Sequence, residues 1–454
     1  MEPNVSCSSS KMYLLMPALL LATFLAAADE TILVASTRTI LKDLGEEDGG
    51  WISIGYLLGL TASMPVYGKL SDVFGTKQTT VGALCLFLAG SVGCGCAVTV
   101  LMLVVFRVIC GIGAAGMIVL PYALIADAVC LAGRAPHLSA VECTFTLSSA
   151  AGPLIGGALV DYVNWRLAFL GSLPFTGMVI LGLWLAVPPT KSKFGIKSGF
   201  LHLNLPAVLA LVPAIVALVV GATRDSYASP PAIGWFAAGA SLVVVYVYIE
   251  VYIAEYAIIP RRILTRNMVC ASISVGLLAI PFVVCMYFIP HCRQCGQSAL
   301  ESGVDLLPFL LSVCIMSMAS GVFVHYLQTY RIPIWVGMAL VTLGCGMAGR
   351  YDASDVVGVS LVGCGVGLNL QPLLIACHAS VASEDVSTVS TLFSFFLSIG
   401  GILGLAIHTS VFHYNASIMS QEEAYHTMFL YMVPTSAAGL LFSLFIADIT
   451  LSQE

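Results

Sequence analysis

Long apolar runs separated by short polar turns set the pattern of this chain. An apolar helix of about 20 residues crosses the hydrocarbon core of a membrane, where only internally hydrogen-bonded backbone is tolerated. By that measure the runs predict fourteen spanning helices: Met12 to Val34, Trp51 to Leu70, Thr79 to Ala97, Thr99 to Ile125, Leu138 to Val160, Trp165 to Val187, Leu203 to Ala222, Ile233 to Ile253, Met268 to Ile289, Leu306 to Val324, Ile332 to Gly349, Val356 to Cys377, Val386 to Phe412 and Tyr425 to Ile446. The eleventh is the shortest. Glu46, Glu47 and Asp48 follow the first run without a convincing small-residue cleavage site, so it reads as a retained helix rather than a signal peptide. The tails are short, and no soluble domain is expected at either end.

Composition strengthens the membrane reading. Only 9% of the 454 residues are charged and 59% are hydrophobic, whereas soluble domains carry about 25% charged residues. Orientation follows the Lys and Arg residues, which stay in cytoplasmic loops during insertion. With the N-terminus inside, Lys11, Lys69, Lys77, Arg134, Lys191, Lys193, Lys197, Arg261, Arg262, Arg266 and Arg331 are cytoplasmic, eleven of the eighteen. Arg38, Lys42, Arg166, Arg224, Arg293 and Arg350 fall outside, and Arg107 lies within a helix. Both termini are therefore expected to be cytoplasmic.

Most of the fifteen cysteines sit singly in apolar runs, as small apolar residues do. Cys292 and Cys295 differ, forming a C-x-x-C beside His291 that suits a local disulfide better than a metal site, since two further ligands are not evident. The Pro188-Pro189 break and the basic stretch after it divide the chain into a six-helix unit (1–189), two additional helices (190–260) and a second six-helix unit (261–454). Two six-helix units are a known transporter plan, but composition alone does not establish it.

Four motifs narrow the choice. Between the second and third runs stands Gly68-Lys69-Leu70-Ser71-Asp72-Val73-Phe74-Gly75-Thr76-Lys77, in which Gly68 and Gly75 allow a tight turn and Asp72 can accept bonds from a helix N-terminus. The fourth run holds Arg107-Val108-Ile109-Cys110-Gly111-Ile112-Gly113, whose buried cation needs a partner. The fifth holds Ser148, then Gly152-Pro153 and Gly156-Gly157, small residues that admit a neighbouring helix beside a proline kink. The first run ends in Asp29-Glu30-Thr31-Ile32, two acids about 100° apart on a helix and so unlikely to share one role.

Together these resemble the major facilitator superfamily, in particular its fourteen-helix drug:proton antiporters of the fungal multidrug and toxin efflux type. The resemblance runs on through Ser302-Gly303, Leu307-Pro308 and the Gly363, Gly365, Gly367, Gln371 and Pro372 helix, and so covers nearly the whole chain. It departs at Thr76, where the family has Arg; at Cys110, where it has Gln; at Ser148, where it has Gly; and at Arg38, where it has Pro. The Gly363 to Gly367 pattern lies in an apolar run with no Walker lysine, against an ATP-driven pump.

The resemblance implies an all-α major facilitator fold and a proton-coupled exporter of amphiphilic organic compounds, working by alternating access. Asp29, with Glu30 second, and Arg107 would handle the proton; Gly68, Asp72, Gly75 and Lys77 would form a conformational latch. Glu142, Tyr56, Phe145, Gln371, Phe393 and Phe396 are candidates to line the cavity, although packing explains such residues as well. His378 and His408 suit either proton handling or structure. Alternatives are uptake or vacuolar transport of a metabolite, basic amino acid or iron chelate, and a non-transporting membrane sensor. No nucleophile-base pair, metal cluster or cofactor loop points to an enzyme. The expected partners are a small organic substrate, protons and the lipid bilayer, without nucleic acid, for a monomer in the plasma or vacuolar membrane. Asn415-Ala416-Ser417 fits a glycosylation acceptor in the last exofacial loop.

Overall fold

The computed structural model describes residues 9–44, 50–130, 133–187, 205–222, 230–253, 259, 261–292, 306–349, 356–382 and 385–447. Helices dominate them. In chain order these are α1 (Ser9–Thr31), α2 (Leu33–Leu44), α3 (Gly50–Phe74), α4 (Thr76–Gly95), α5 (Val100–Ala128), α6 (Arg134–Tyr162), α7 (Arg166–Leu170), α8 (Ser172–Ala186), α9 (Leu205–Ala222), α10 (Pro230–Tyr248), α11 (Arg266–Cys292), α12 (Leu307–Leu327), α13 (Arg331–Ala348), α14 (Val356–His378), α15 (Val386–Ala416) and α16 (Gln421–Leu444). A π-turn, Ile249–Ile253, extends α10.

Among the described residues, eleven helices are long and apolar enough to cross a membrane. α2, α3, α6 and α9 fall outside that set, α7 and α8 together make one span, and α9 offers the shorter apolar stretch Pro206–Gly221. Two expected runs are interrupted. The first breaks at Ile32, between α1 and α2, and the sixth is divided at Gly171 between α7 and α8.

Helix ends follow local chemistry. The Thr99 hydroxyl accepts from Met102 N at 3.2 Å at the start of α5, and Ser420 and Glu423 form a reciprocal capping box at the start of α16. Gly75, with φ of 93°, makes the turn from α3 into α4, a conformation that glycine adopts without a side-chain clash.

Packing joins α1, α3, α4, α5, α6 and α8 in one cluster, and α11 to α16 in another. α3 meets α15 and α6 meets α12, so these pairs form seams between the clusters. α9 and α10 pack on each other, with α9 resting on both α3 and α15. Close helix approach depends on missing side chains: on α14, Gly363 and Gly367 face α12 while Gly365 faces α13. The glycine pattern of α14 is thus a packing device on two faces of one helix.

Candidate functional site

Asp29, in the last turn of α1, lies beside α5. Arg107 Nη1 donates to Asp29 Oδ2 at 2.6 Å, and Arg107 Nη2 donates to the Asp29 carbonyl oxygen at 3.2 Å. Both side chains are buried, Arg107 fully and Asp29 to 5% exposure. The guanidinium carbon lies 4.2 Å from the centre of the Tyr56 ring and 5.8 Å from that of Phe169. Tyr56 is fixed in turn by its hydroxyl, which donates to Ala26 O at 2.8 Å. A charge-assisted bond, a backbone carbonyl at the helix break and an aromatic face thus surround one cation. Arg107 stands eight residues past the Thr99 cap, about 12 Å along the helix axis. Glu30 is half-buried on a different side of α1 from Asp29.

α6 runs along that break. Ser148 donates to Phe24 O at 2.5 Å, a Cβ on Gly152 would meet Thr31 and Ala28 O, and one on Gly156 would meet Ile32. Positions 148, 152 and 156 therefore ride against 24, 28 and 32, each set at helical four-residue spacing. The serine that departs from the family glycine makes a bond that glycine cannot. Pro153 and Gly157 lie in α6, but their surroundings are outside the described residues, as are those of Arg38, His291 and Cys292. Cys295, Ser302 and Gly303 also lie outside them.

The Gly68 to Lys77 stretch forms a separate cluster at the α3–α15 seam. Asp72 Oδ2 accepts from Thr388 Oγ1 at 2.7 Å, and the Ser71 and Ser387 hydroxyls are hydrogen-bonded. Gly68 packs against Thr388 and Thr391, and Arg262 holds Asp385 at 2.7 Å just before α15. Thr76 Oγ1 donates to Asp127 Oδ2 at 3.0 Å, so a hydroxyl–carboxylate hydrogen bond stands where the family's arginine is absent. Lys77 Nζ reaches the carbonyls of Trp184 and Val187 at the end of α8.

The remaining candidates are dispersed. Glu142 is buried on α6 and accepts from Tyr122 Oη at 2.7 Å. Phe145 is half-buried and Phe393 fully buried, while Phe396 stacks edge-on to Phe395 at 5.6 Å. Gln371, fully buried, accepts from Ser320 Oγ at 3.3 Å. His378 pairs with Ser390 Oγ at 2.8 Å and His408 with Gly404 O at 2.7 Å, both local bonds within the C-terminal cluster. Asn415 is buried in the last turn of α15 rather than in the expected exofacial loop. Among the described residues no group of His, Cys, Asp and Glu is placed to hold a metal ion.

The structure thus joins Asp29, Arg107 and Tyr56 in one site, and Gly68 with Asp72 in another. Tyr122, Asp127, Ser387 and Thr388 are the partners that sequence reasoning did not single out. A hydroxyl or acid many residues away leaves no spacing signal.

Comparison with known proteins is consistent over the length of the chain. The family model described as Major Facilitator Superfamily matches residues 19–405. The MFS-type efflux pump MFS1 of Arthroderma benhamiae is 28% identical over 419 residues, covering 88% of this chain and 78% of that protein. Efflux pump dotC of Dothistroma septosporum is 28% identical over 404 residues, covering 86% and 70%. In fold, the chain is similar to the human organic anion transporter MFSD10 (TETRAN), with a TM-score of 0.65 at 12% identity, covering 95% of this chain and 99% of that one.

Proposed function

Because the chain belongs to the major facilitator superfamily, and is therefore an integral multi-pass membrane protein, we propose that it exports amphiphilic organic compounds in exchange for protons by alternating access. The buried Asp29–Arg107 pair carries the proposal. A charge inside a membrane span is costly unless paired. Protonation of Asp29 neutralises the carboxylate and leaves Arg107 as an uncompensated buried cation. Any rearrangement that returns water or another anion to Arg107 is then favoured, so the proton and the conformation act on each other.

The site is placed to transmit that change. Asp29 sits at the break of α1, and α6 packs directly on the break through Gly152 and Gly156. A shift of α1 therefore moves α6, which also packs on α12 across the seam. The names of the fungal relatives support export. Our account has fourteen spans, as six, two and six, with both termini cytoplasmic in the plasma membrane. The Asp72–Thr388 cluster is then a cytoplasmic latch, closed in this structure, and substrate binds at the midplane between the two six-helix units.

Reconstituted protein with its cytoplasmic face outward tests this. Organic cations, neutral toxins and organic acids are offered under an acidic lumen. At least one compound is expected to accumulate, and a protonophore to abolish the accumulation. Asp29→Asn is expected to lose the gradient-driven part while Glu30→Gln keeps it. Full coupling in both variants contradicts the assignment of the acid.

A further inference from the structure

Asp29 has a cation, and among the described residues Glu142 has none. Glu142 is 3% exposed and Tyr122, its hydrogen-bond donor from α5, 4%. On the helices packed against α6, the titratable side chains near this level are Tyr122 of α5 and Cys314 of α12; among the described residues α1, α2 and α14 bring no charged group to bear on Glu142, and Arg166 of α7 is bonded instead to the Gly95 and Ala97 carbonyls. Isolated carboxylates are strongly disfavoured in such surroundings, whereas the neutral acid keeps its hydrogen bond at little cost.

The location matters as much as the burial. Ser139, one turn before Glu142, packs on Gly321 of α12. Cys143, the next residue, offers its carbonyl to Cys314 Sγ at 3.8 Å. Glu142 therefore lies on a stretch of α6 that is pressed against α12, beside a seam that alternating access must part. When the seam opens, water reaches the carboxyl and its ionised form becomes favourable. The proton then leaves toward the side that has opened, and closure restores the surroundings that hold it.

We propose that Glu142 is a second proton-carrying site, loaded while the α6–α12 seam is shut and emptied when it parts, which rests on the proton-exchange reading above. Tyr122 acts as a positioning residue that holds the carboxyl in place. Glu142 lies on a different face of the problem from the Asp29 pair: the pair stores charge, and Glu142 carries a neutral acid through the closed state.

Infrared spectroscopy of the purified full-length chain tests the loaded state without needing a substrate. At neutral pH the wild type is expected to show the carbonyl stretch of a protonated carboxyl that disappears in Glu142→Gln, returns in Glu142→Asp and changes frequency in Tyr122→Phe. If Glu142→Gln does not fold, the frequency change in Tyr122→Phe decides alone. A band unaltered by these substitutions, or no such band in the wild type, overturns the proposal. Proteoliposomes supply the second arm, with potential clamped and with whichever compound of the transport panel accumulates. Loss of one proton from the cycle lowers accumulation at a gradient of one pH unit by about tenfold. If the wild type couples to protons and Glu142→Gln keeps the same dependence on the gradient, the second site is refuted while the exporter stands. Absence of any proton coupling in the wild type refutes both.

Discussion

Gly68 tests the latch directly. A methyl group there would run into Thr391 Oγ1 and lie 3.1 Å from Thr388 Cα and 3.4 Å from Thr391 Cβ. The Thr391 hydroxyl can rotate, but Thr388 Cα belongs to the backbone of α15 and yields only if the helix moves. Overpacking of this kind costs about 1–3 kcal/mol. In the proposed cycle that cost falls on the latched state alone, because the two helices part in the other. Gly68→Ala should therefore shift the equilibrium toward the unlatched state about 5- to 150-fold. Spin labels or fluorophores placed at the ends of α3 and α15 read the two populations in proteoliposomes. Thr391→Ala, added to Gly68→Ala, removes the closest obstacle and should recover part of the shift. A Gly68→Ala protein with the wild-type distance distribution, or a double variant more displaced than the single one, refutes the packing argument.

Three further outcomes follow from the same contacts. Asp29→Asn or Arg107→Gln alone should lower stability by about 3–5 kcal/mol through the charge or polar group left buried, while the double variant regains much of that stability without regaining proton coupling, as thermal unfolding and transport assays would show. Cys143 and Cys314 lie on opposite sides of the α6–α12 seam, with Cys314 Sγ 3.8 Å from the Cys143 carbonyl oxygen, so copper-phenanthroline oxidation should join them and halt transport until a reductant is added; unimpeded transport by the cross-linked protein contradicts seam opening. Thr76→Val removes the bond to the Asp127 carboxylate and should cost about 1.5–3 kcal/mol, measured as a lower unfolding temperature with little change in substrate selectivity.

Apolar run length foretold most helices, including α14, predicted as Val356 to Cys377 and found as Val356–His378. It did not foretell the break at Ile32, because the flanking residues Leu25 to Ala28 and Leu33 to Ala35 are all compatible with a continuous helix. The contacts at the break are tertiary: Arg107 Nη2 donates to the Asp29 carbonyl, and α6 packs on Thr31 and Ile32. Asp29 and Arg107 were individually legible as charges in apolar runs, but their pairing spans 78 residues and is set by how α1 meets α5. Although residues 68–74, expected as a loop, continue α3 and only Gly75 turns the chain, Asp72 was legible from its motif. Its partner Thr388 was not, since one hydroxyl among the Ser387, Ser390 and Thr391 of α15 carries no distinguishing pattern.

Proton movement driven by substrate measures the central claim most directly. Wild-type protein in liposomes containing a pH-sensitive dye, with no imposed gradient and the potential clamped, is given an inward substrate gradient at its cytoplasmic face. The account predicts that substrate entry drives protons out of the lumen, so the lumen turns alkaline, and that Asp29→Asn abolishes this change. Substrate entry without proton movement, or proton movement undiminished in Asp29→Asn, contradicts it.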